Sequence, residues 1–453
     1  MNKSKAFDFE SLTASGEIDC ACGQKHSTDI KVLAVGRGVI EKVPEALEKL
    51  TVRRPMIVSG PFAFPAVGEK VCMVLDRAGI EYSTFIFESN GTKKLQPNNE
   101  AVAEIIKNFN PACDALLSVG SGSVNDVCKA AATKLKVPQL TVGSAPSMDG
   151  YTSASASLEI NNTKATVPVN APVGILCDVE LMAQAPMRLL WAGLGDMAAK
   201  TCSLYEWEMA SVVMGEHYCP YIADLVKLSC ERTFSGAPDL PERDLDSVQA
   251  VIEGLILSGV CMSYVNSSRP ASGLEHYFSH CWEMMAIARG REYDLHGIYV
   301  GIGTIITLHI FKKLRQLSPD RTRAEKAAAD FDRDVWEARL RRVFRGTAES
   351  FIALEDKLHK NDRDNRMQRV DRILENWDRL VEILEKAPDP EEIEAVLRSS
   401  GMPTRASEIG LSAEDVADAF VCSRDTRDKY LTSSLIWDIG YMDEFEAMVK
   451  ELA

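Results

Sequence analysis

Ala115-Leu116-Leu117-Ser118-Val119-Gly120-Ser121-Gly122-Ser123-Val124-Asn125-Asp126 is the stretch that decides the fold of this chain. A short apolar run that ends at a glycine reads as a buried strand, and the apolar spacing over residues 124–135 reads as a helix. A strand that passes through a glycine-rich turn directly into a helix is half of a βαβ unit. Glycines there let the backbone come close to a pyrophosphate, and the helix start offers N–H groups and positive potential. The run departs from G-x-G-x-x-G, because Asn125 stands at the sixth position. A tight turn with no ligand is the other meaning of the same residues.

Working outward, further strands are expected at residues 31–35, 55–60, 82–87 and 139–142, with helices at 69–78 and 98–109. Strands alternating with helices of this length indicate a parallel sheet. Residues 152–168 are rich in Ser, Thr and Ala and read as a β-hairpin or loop turning at Asn161-Asn162. From about Glu180 the strand-like runs stop and helical patterns continue to the C-terminus. The fold class is therefore an α/β N-terminal domain with a parallel, Rossmann-like sheet over residues 1–179, followed by an all-α C-terminal domain over residues 180–453. The dense mixed charge over residues 321–386 reads as a solvated helix face.

The formal net charge of −15 over 453 residues argues against a nucleic-acid or anionic-membrane partner, since both call for a basic face. Residues 1–10 lack the apolar core of a signal peptide, and no stretch approaches ~18 uncharged apolar residues, so neither export nor a membrane span is expected. The twelve cysteines are scattered through apolar runs, as reduced thiols of a cytoplasmic enzyme are. One cluster differs. Cys20-Ala21-Cys22-Gly23-Gln24-Lys25-His26 has the look of a metal knuckle without its second half, or of a turn at Gly23 between two strands.

Three of the seven histidines fall close together, in Glu275-His276-Tyr277-Phe278-Ser279-His280 and at His296. His276 and His280 lie four apart, which on a helix puts both on one face. That spacing suits a metal pair, though such pairs on helices are often only satisfied surface or core histidines. Asp149, in Ser144-Ala145-Pro146-Ser147-Met148-Asp149-Gly150-Tyr151-Thr152-Ser153, follows a strand where ligands of α/β sheets bind, or else bonds its own turn. Asp196, in Gly193-Leu194-Gly195-Asp196, reads as an acid at a helix start, where the macrodipole favours it. With His276 and His296 it makes a set suited to an open Lewis-acid site. His309 reads as a core histidine, and Glu275 as a helix-turn residue or a partner of His276, not as a ligand.

Together these segments, with Ser267-Ser268-Arg269-Pro270-Ala271-Ser272-Gly273-Leu274-Glu275-His276 and His296-Gly297, resemble the sn-glycerol-1-phosphate dehydrogenase family, bacterial branch. That family lies within the iron-containing-type alcohol dehydrogenases and the dehydroquinate synthase-like architecture. The resemblance implies a nucleotide-binding domain, a helical domain, NAD(P)H and one divalent metal, zinc or nickel with iron a third candidate. Position by position it implies metal ligands at Asp196, His276 and His296, and substrate contacts at Asp149, Asp196 and His280. Asp196 and His280 are the implied catalytic residues. Cofactor contacts are implied at Gly122, Ser123, Val124, Asn125, Asp126, Ser144, Ala145, Pro146, Ser147 and Ser153. The implied reaction is reduction of dihydroxyacetone phosphate to sn-glycerol 1-phosphate, reversibly, by a cytoplasmic homodimer serving phospholipid synthesis.

One departure bears on the cofactor. The family usually has an acid after the second strand, and here Gly60 stands there. Without a carboxylate to repel a 2′-phosphate, both NAD and NADP are expected. The rival activities are a glycerol or polyol dehydrogenase, a dehydroquinate synthase-like lyase, and a non-catalytic binding protein of the same superfamily.

Overall fold

The computed structural model describes residues 17–88, 95–160 and 163–453. Residues 1–10 and the expected turn at Asn161-Asn162 lie outside them. The chain divides into two compact units, Met1–Met197 with Asp224–Ser267, and Ala198–Ala223 with Ser268–Ala453.

The first unit is built on a sheet of six strands, in the order β3 (Val32–Gly36), β10 (Gly174–Asp178), β7 (Gln139–Gly143), β6 (Ala115–Gly120), β4 (Pro55–Ser59) and β5 (Ser83–Ile86). Every neighbouring pair is parallel. The strands read as continuous apolar runs because both faces are covered. Ile57, Leu117, Val119 and Leu140 face one cluster with Val43, Leu47 and Leu75. Met56, Val58 and Leu116, one residue out of phase, face the other with Val102, Ile105 and Val127.

Five of these strands match the expected segments to within two residues, and β10 was not expected. It inserts between β3 and β7, filling the place that joins the first strand to the rest. The segment 152–168 forms an antiparallel pair, β8 (Ser155–Ile160) and β9 (Thr163–Pro168). A small pair, β1 (Ile18–Asp19) and β2 (Lys25–His26), precedes the sheet. Among the described residues every regular element after β10 is helical.

The expectation of no long apolar segment is corrected. Leu245–Val265 in the first unit and His296–Leu314 in the second are each long and apolar enough to cross a membrane. Both are largely buried in the protein, which is what makes a core helix apolar all round. In the second unit the charged stretch forms exposed ion pairs such as Arg321–Glu325 and Lys326–Asp330, which solvent screens and which add little to stability. His309 is half-buried, and burial holds its pKa below the usual value.

Candidate active site

In the first unit the chain runs from β3 to β4 and β5, then turns back through β6, β7 and β10. The direction reverses between β4 and β6, and a ligand crevice forms beyond the carboxyl ends of strands at such a point. Gly60 and Gly120 end these two strands. A Cβ on Gly120 would lie 2.6 Å from Val124 Cβ, so the return from strand to helix leaves no room for a side chain. The helix Gly122–Leu135 begins after Ser121, whose side chain makes no cap bond. No side-chain cap from Ser121 occupies the first backbone N–H groups of this helix, and uncapped N–H groups at a helix start suit a phosphate.

The expected cofactor residues divide by exposure. Gly122, Ser123 and Ser144 are partly accessible, whereas Val124, Asn125, Asp126, Ala145, Pro146, Ser147 and Ser153 are buried. Asn125 Oδ1 accepts from Gln139 Nε2 at 3.0 Å and Thr141 Oγ1 at 2.9 Å. Asp126 Oδ2 accepts the Ser157 N–H at 2.9 Å, tying the helix to β8. Sequence reasoning missed Lys129, which is fully buried. Its ammonium donates to Gly150 O at 2.9 Å and to Ser155 O, and pairs with Asp126 at 2.8 Å. Lysine on a helix normally signals solvent, and only the loop folding over it makes this one a fastener.

The loop from Ser144 to Ser153 is wedged between two helices at two glycines. A Cβ on Gly193 of the helix Met187–Ala198 would meet Pro146 O at 1.8 Å. On Gly259 of Leu245–Val265 it would meet Thr152 Oγ1 at 1.8 Å and Asp149 O at 2.5 Å. Asp149 Oδ2 accepts from Ser258 Oγ, on the helix Leu245–Val265, at 3.0 Å. Its N–H donates to Asp196 Oδ2 at 2.9 Å. The two candidate acids are therefore held side by side.

Asp196 overturns one expectation. It lies in the last turn of Met187–Ala198, not at a helix start, and is 1% exposed. The macrodipole opposes a carboxylate there, by about 0.3–1 kcal/mol.

In the second unit His276 and His280 share the helix Leu274–Ala288, and His296 opens the helix His296–Leu314. The His296 ring centroid lies 5.3 Å from each of the other two. His276 Nδ1 sits 3.0 Å from Glu275 Oε1, and His296 Nδ1 sits 2.7 Å from Glu283 Oε1. Both carboxylates are fully buried. An imidazole fixed at Nδ1 by a carboxylate presents Nε2 as ligand, the usual outer arrangement of a metal-binding histidine. This donor chemistry fits a divalent ion. Ser279 adds a contact to His296 Nδ1 at 2.9 Å and donates to Glu283 at 3.1 Å. Glu283 was missed by sequence reasoning, though it stands seven residues after His276 and three after His280 on the same helix face.

Glu275 has a carboxylate neighbour in Glu206. A Cβ on Gly273 would lie 2.6 Å from Glu206 Oε2 and 2.9 Å from Glu275 Oε2. Glu206 accepts the N–H groups of Leu274 at 2.8 Å and Thr432 at 2.7 Å. Burial first, and then the charge of Glu275, push the Glu206 carboxyl up to about 7.

Residues 34–186 match the family model described as iron-containing alcohol dehydrogenase. The chain is 30% identical to a glycerol-1-phosphate dehydrogenase (NAD(P)+) of Bacillus licheniformis, over 68% of this chain and 77% of that protein. It is 35% identical to one of Methanococcoides burtonii, over 61% of this chain and 75% of that protein. Among solved structures, the glycerol dehydrogenase of Schizosaccharomyces pombe superposes with a TM-score of 0.57 at 14% identity, covering 94% of this chain and 93% of that one. At that identity the likeness is one of fold.

Proposed function

This chain belongs to the glycerol-1-phosphate dehydrogenase (NAD(P)+) family, and on that premise we propose that it transfers hydride reversibly between NAD(P)H and the C2 carbonyl of dihydroxyacetone phosphate. The product is sn-glycerol 1-phosphate. The chain is an oxidoreductase that uses a nicotinamide nucleotide and a divalent metal. The observation that carries the assignment is the convergence of three imidazoles, two of them fixed at Nδ1 by buried carboxylates.

The proposed ligands are Asp196, His276 and His296, with Glu275 and Glu283 orienting the two rings. When bound, the ion polarises the carbonyl and stabilises the alkoxide. A bound nicotinamide nucleotide would supply the hydride to the carbonyl carbon, and one proton would complete the alcohol at oxygen. His280, or a water it orients, is proposed to deliver that proton. Asp149 is proposed to contact the substrate and to hold Asp196 in place through its N–H. The loop Ser121–Ser123 and the start of Gly122–Leu135 are proposed to hold the cofactor pyrophosphate, with Ser144, Ala145, Pro146, Ser147 and Ser153 beside the nucleotide. The family resemblance supports action in the cytoplasm as a homodimer.

The test is NAD(P)H oxidation by metal-reconstituted protein, with dihydroxyacetone phosphate and dihydroxyacetone compared. A strong preference for the phosphorylated ketone is expected. Equal efficiency with both would overturn the substrate in favour of a polyol dehydrogenase, and no turnover with either would overturn catalysis.

A further inference from the structure

Cys20, Cys22 and His26 have no part in the proposed hydride transfer, yet the fold brings their donor atoms together. The segment between β1 and β2 closes through Cys20 N–H to Gln24 O at 3.1 Å and Gly23 N–H to Cys20 O at 3.0 Å. Gly23 takes φ of 84°, a left-handed turn that a side chain would strain. This folds both thiols toward His26. The two Sγ atoms and the histidine nitrogen all lie within 4.8 Å of one another, and Cys22 Sγ is 3.4 Å from His26 Nε2. Both cysteines remain thiols.

His26 is fully buried, and its orientation is fixed from behind. Its Nδ1 lies 2.9 Å from the carbonyl of Tyr264, and the two rings stack with centroids 6.0 Å apart. A carbonyl only accepts, so Nδ1 carries the proton and Nε2 turns its lone pair toward the thiols. A metal-ligating imidazole is set up in this way. Around a tetrahedral zinc ion, with Zn–S near 2.3 Å and Zn–N near 2.0 Å, sulfur and nitrogen stand roughly 3.5 Å apart. The Cys22–His26 distance of 3.4 Å is already that edge. Two-residue strands are too short to hold a hairpin by themselves, so a bound ion has something to do here.

We propose that Cys20, Cys22 and His26 bind a structural zinc ion, separate from the catalytic metal, that clasps the β1–β2 hairpin onto the helix Leu245–Val265. The fourth donor comes from outside this loop.

The full-length protein, purified from zinc-supplemented medium, tests this by elemental analysis and by substitution with Co(II). The proposed catalytic ligands contain no sulfur, so near-ultraviolet thiolate-to-Co(II) absorption reports the loop site alone. Two or more sulfur neighbours in zinc X-ray absorption, and a thiolate band that survives Asp196→Asn, are expected. The double variant Cys20→Ser/Cys22→Ser should lose about one equivalent of zinc and the thiolate band, melt at lower temperature, and keep its kcat with dihydroxyacetone phosphate. A wild-type protein with no sulfur-bound metal under zinc excess would overturn the proposal, even if the double variant failed to fold. So would a folded double variant with its full metal complement.

Discussion

The backbone N–H of Asp149 donates to the carboxylate of Asp196 at 2.9 Å, so the two acids are placed by one hydrogen bond. Asparagine at position 196 keeps an oxygen for that bond and loses only the charge. Asp196→Asn should therefore melt close to wild type, bind less metal and reduce dihydroxyacetone phosphate at least about 100-fold more slowly. Thermal melts, metal analysis and kcat together check this; near-normal kcat would remove Asp196 from the catalytic set.

Glu283 acts through His296. Glu283→Gln can still meet Nδ1 but cannot supply the charge that raises the basicity of the ring. Metal affinity should fall about 10–100-fold, measured by competition with a chelator. Unchanged affinity would show that the carboxylate only fills space.

Gly259 is where the Asp149 loop rests on its helix. In Gly259→Ala the new methyl would stand 1.8 Å from Thr152 Oγ1, against a loop held on its other side at Gly193. The loop must move. A loss of about 1–3 kcal/mol by denaturant titration, with a fall in kcat, is expected.

The buried pair Glu206 and Glu275 makes a signed prediction about pH. The Glu206 carboxyl, raised from an ordinary 4.5 to about 7, keeps in the native state a proton that the unfolded chain releases. Native protein then binds more protons than unfolded protein across that window, so this pair lowers stability as pH rises from about 4.5 to about 7, with no further loss above it. Calorimetric melts of Glu206→Gln should show a flatter dependence than wild type over that range. A parallel pair of curves would refute it.

Gly60 ends β4 at the reversal of the sheet, and a Cβ there would find only Val124 Cγ2, at an ordinary 3.5 Å. An acid fits. Gly60→Asp should lower kcat/KM with NADPH relative to NADH by at least ~10-fold, or 1.4 kcal/mol. The wild type should accept both.

The rhythm of strand and helix was legible because apolar runs of five or six residues alternate with amphipathic helices. β10 escaped because the hairpin β8–β9 interrupts that rhythm and a short helix, Val179–Met182, follows it at once. The helix after β6 starts at Gly122, not 124, since glycine and serine carry no apolar period. In the site, the histidine face was visible from spacing, but Glu283 and Lys129 were not. A charged residue becomes a buried partner only through contacts distant in sequence. The place of Asp196 at a helix end was misjudged because Gly193 and Gly195 look like a helix start, and close packing on Pro146 is what the first of them serves.

The late insertion of β10 between β3 and β7 has a consequence for biosynthesis. Until Gly174–Asp178 has been made, β3 has no partner in the sheet, and its N–H and C=O groups stay open to other chains. The first strand of this sheet to leave the ribosome must wait while roughly 140 residues are added, several seconds at usual rates of synthesis. Within that interval an arrested or truncated chain ending before β10 presents a bare strand edge, and aggregation of such fragments follows from the order of the strands alone.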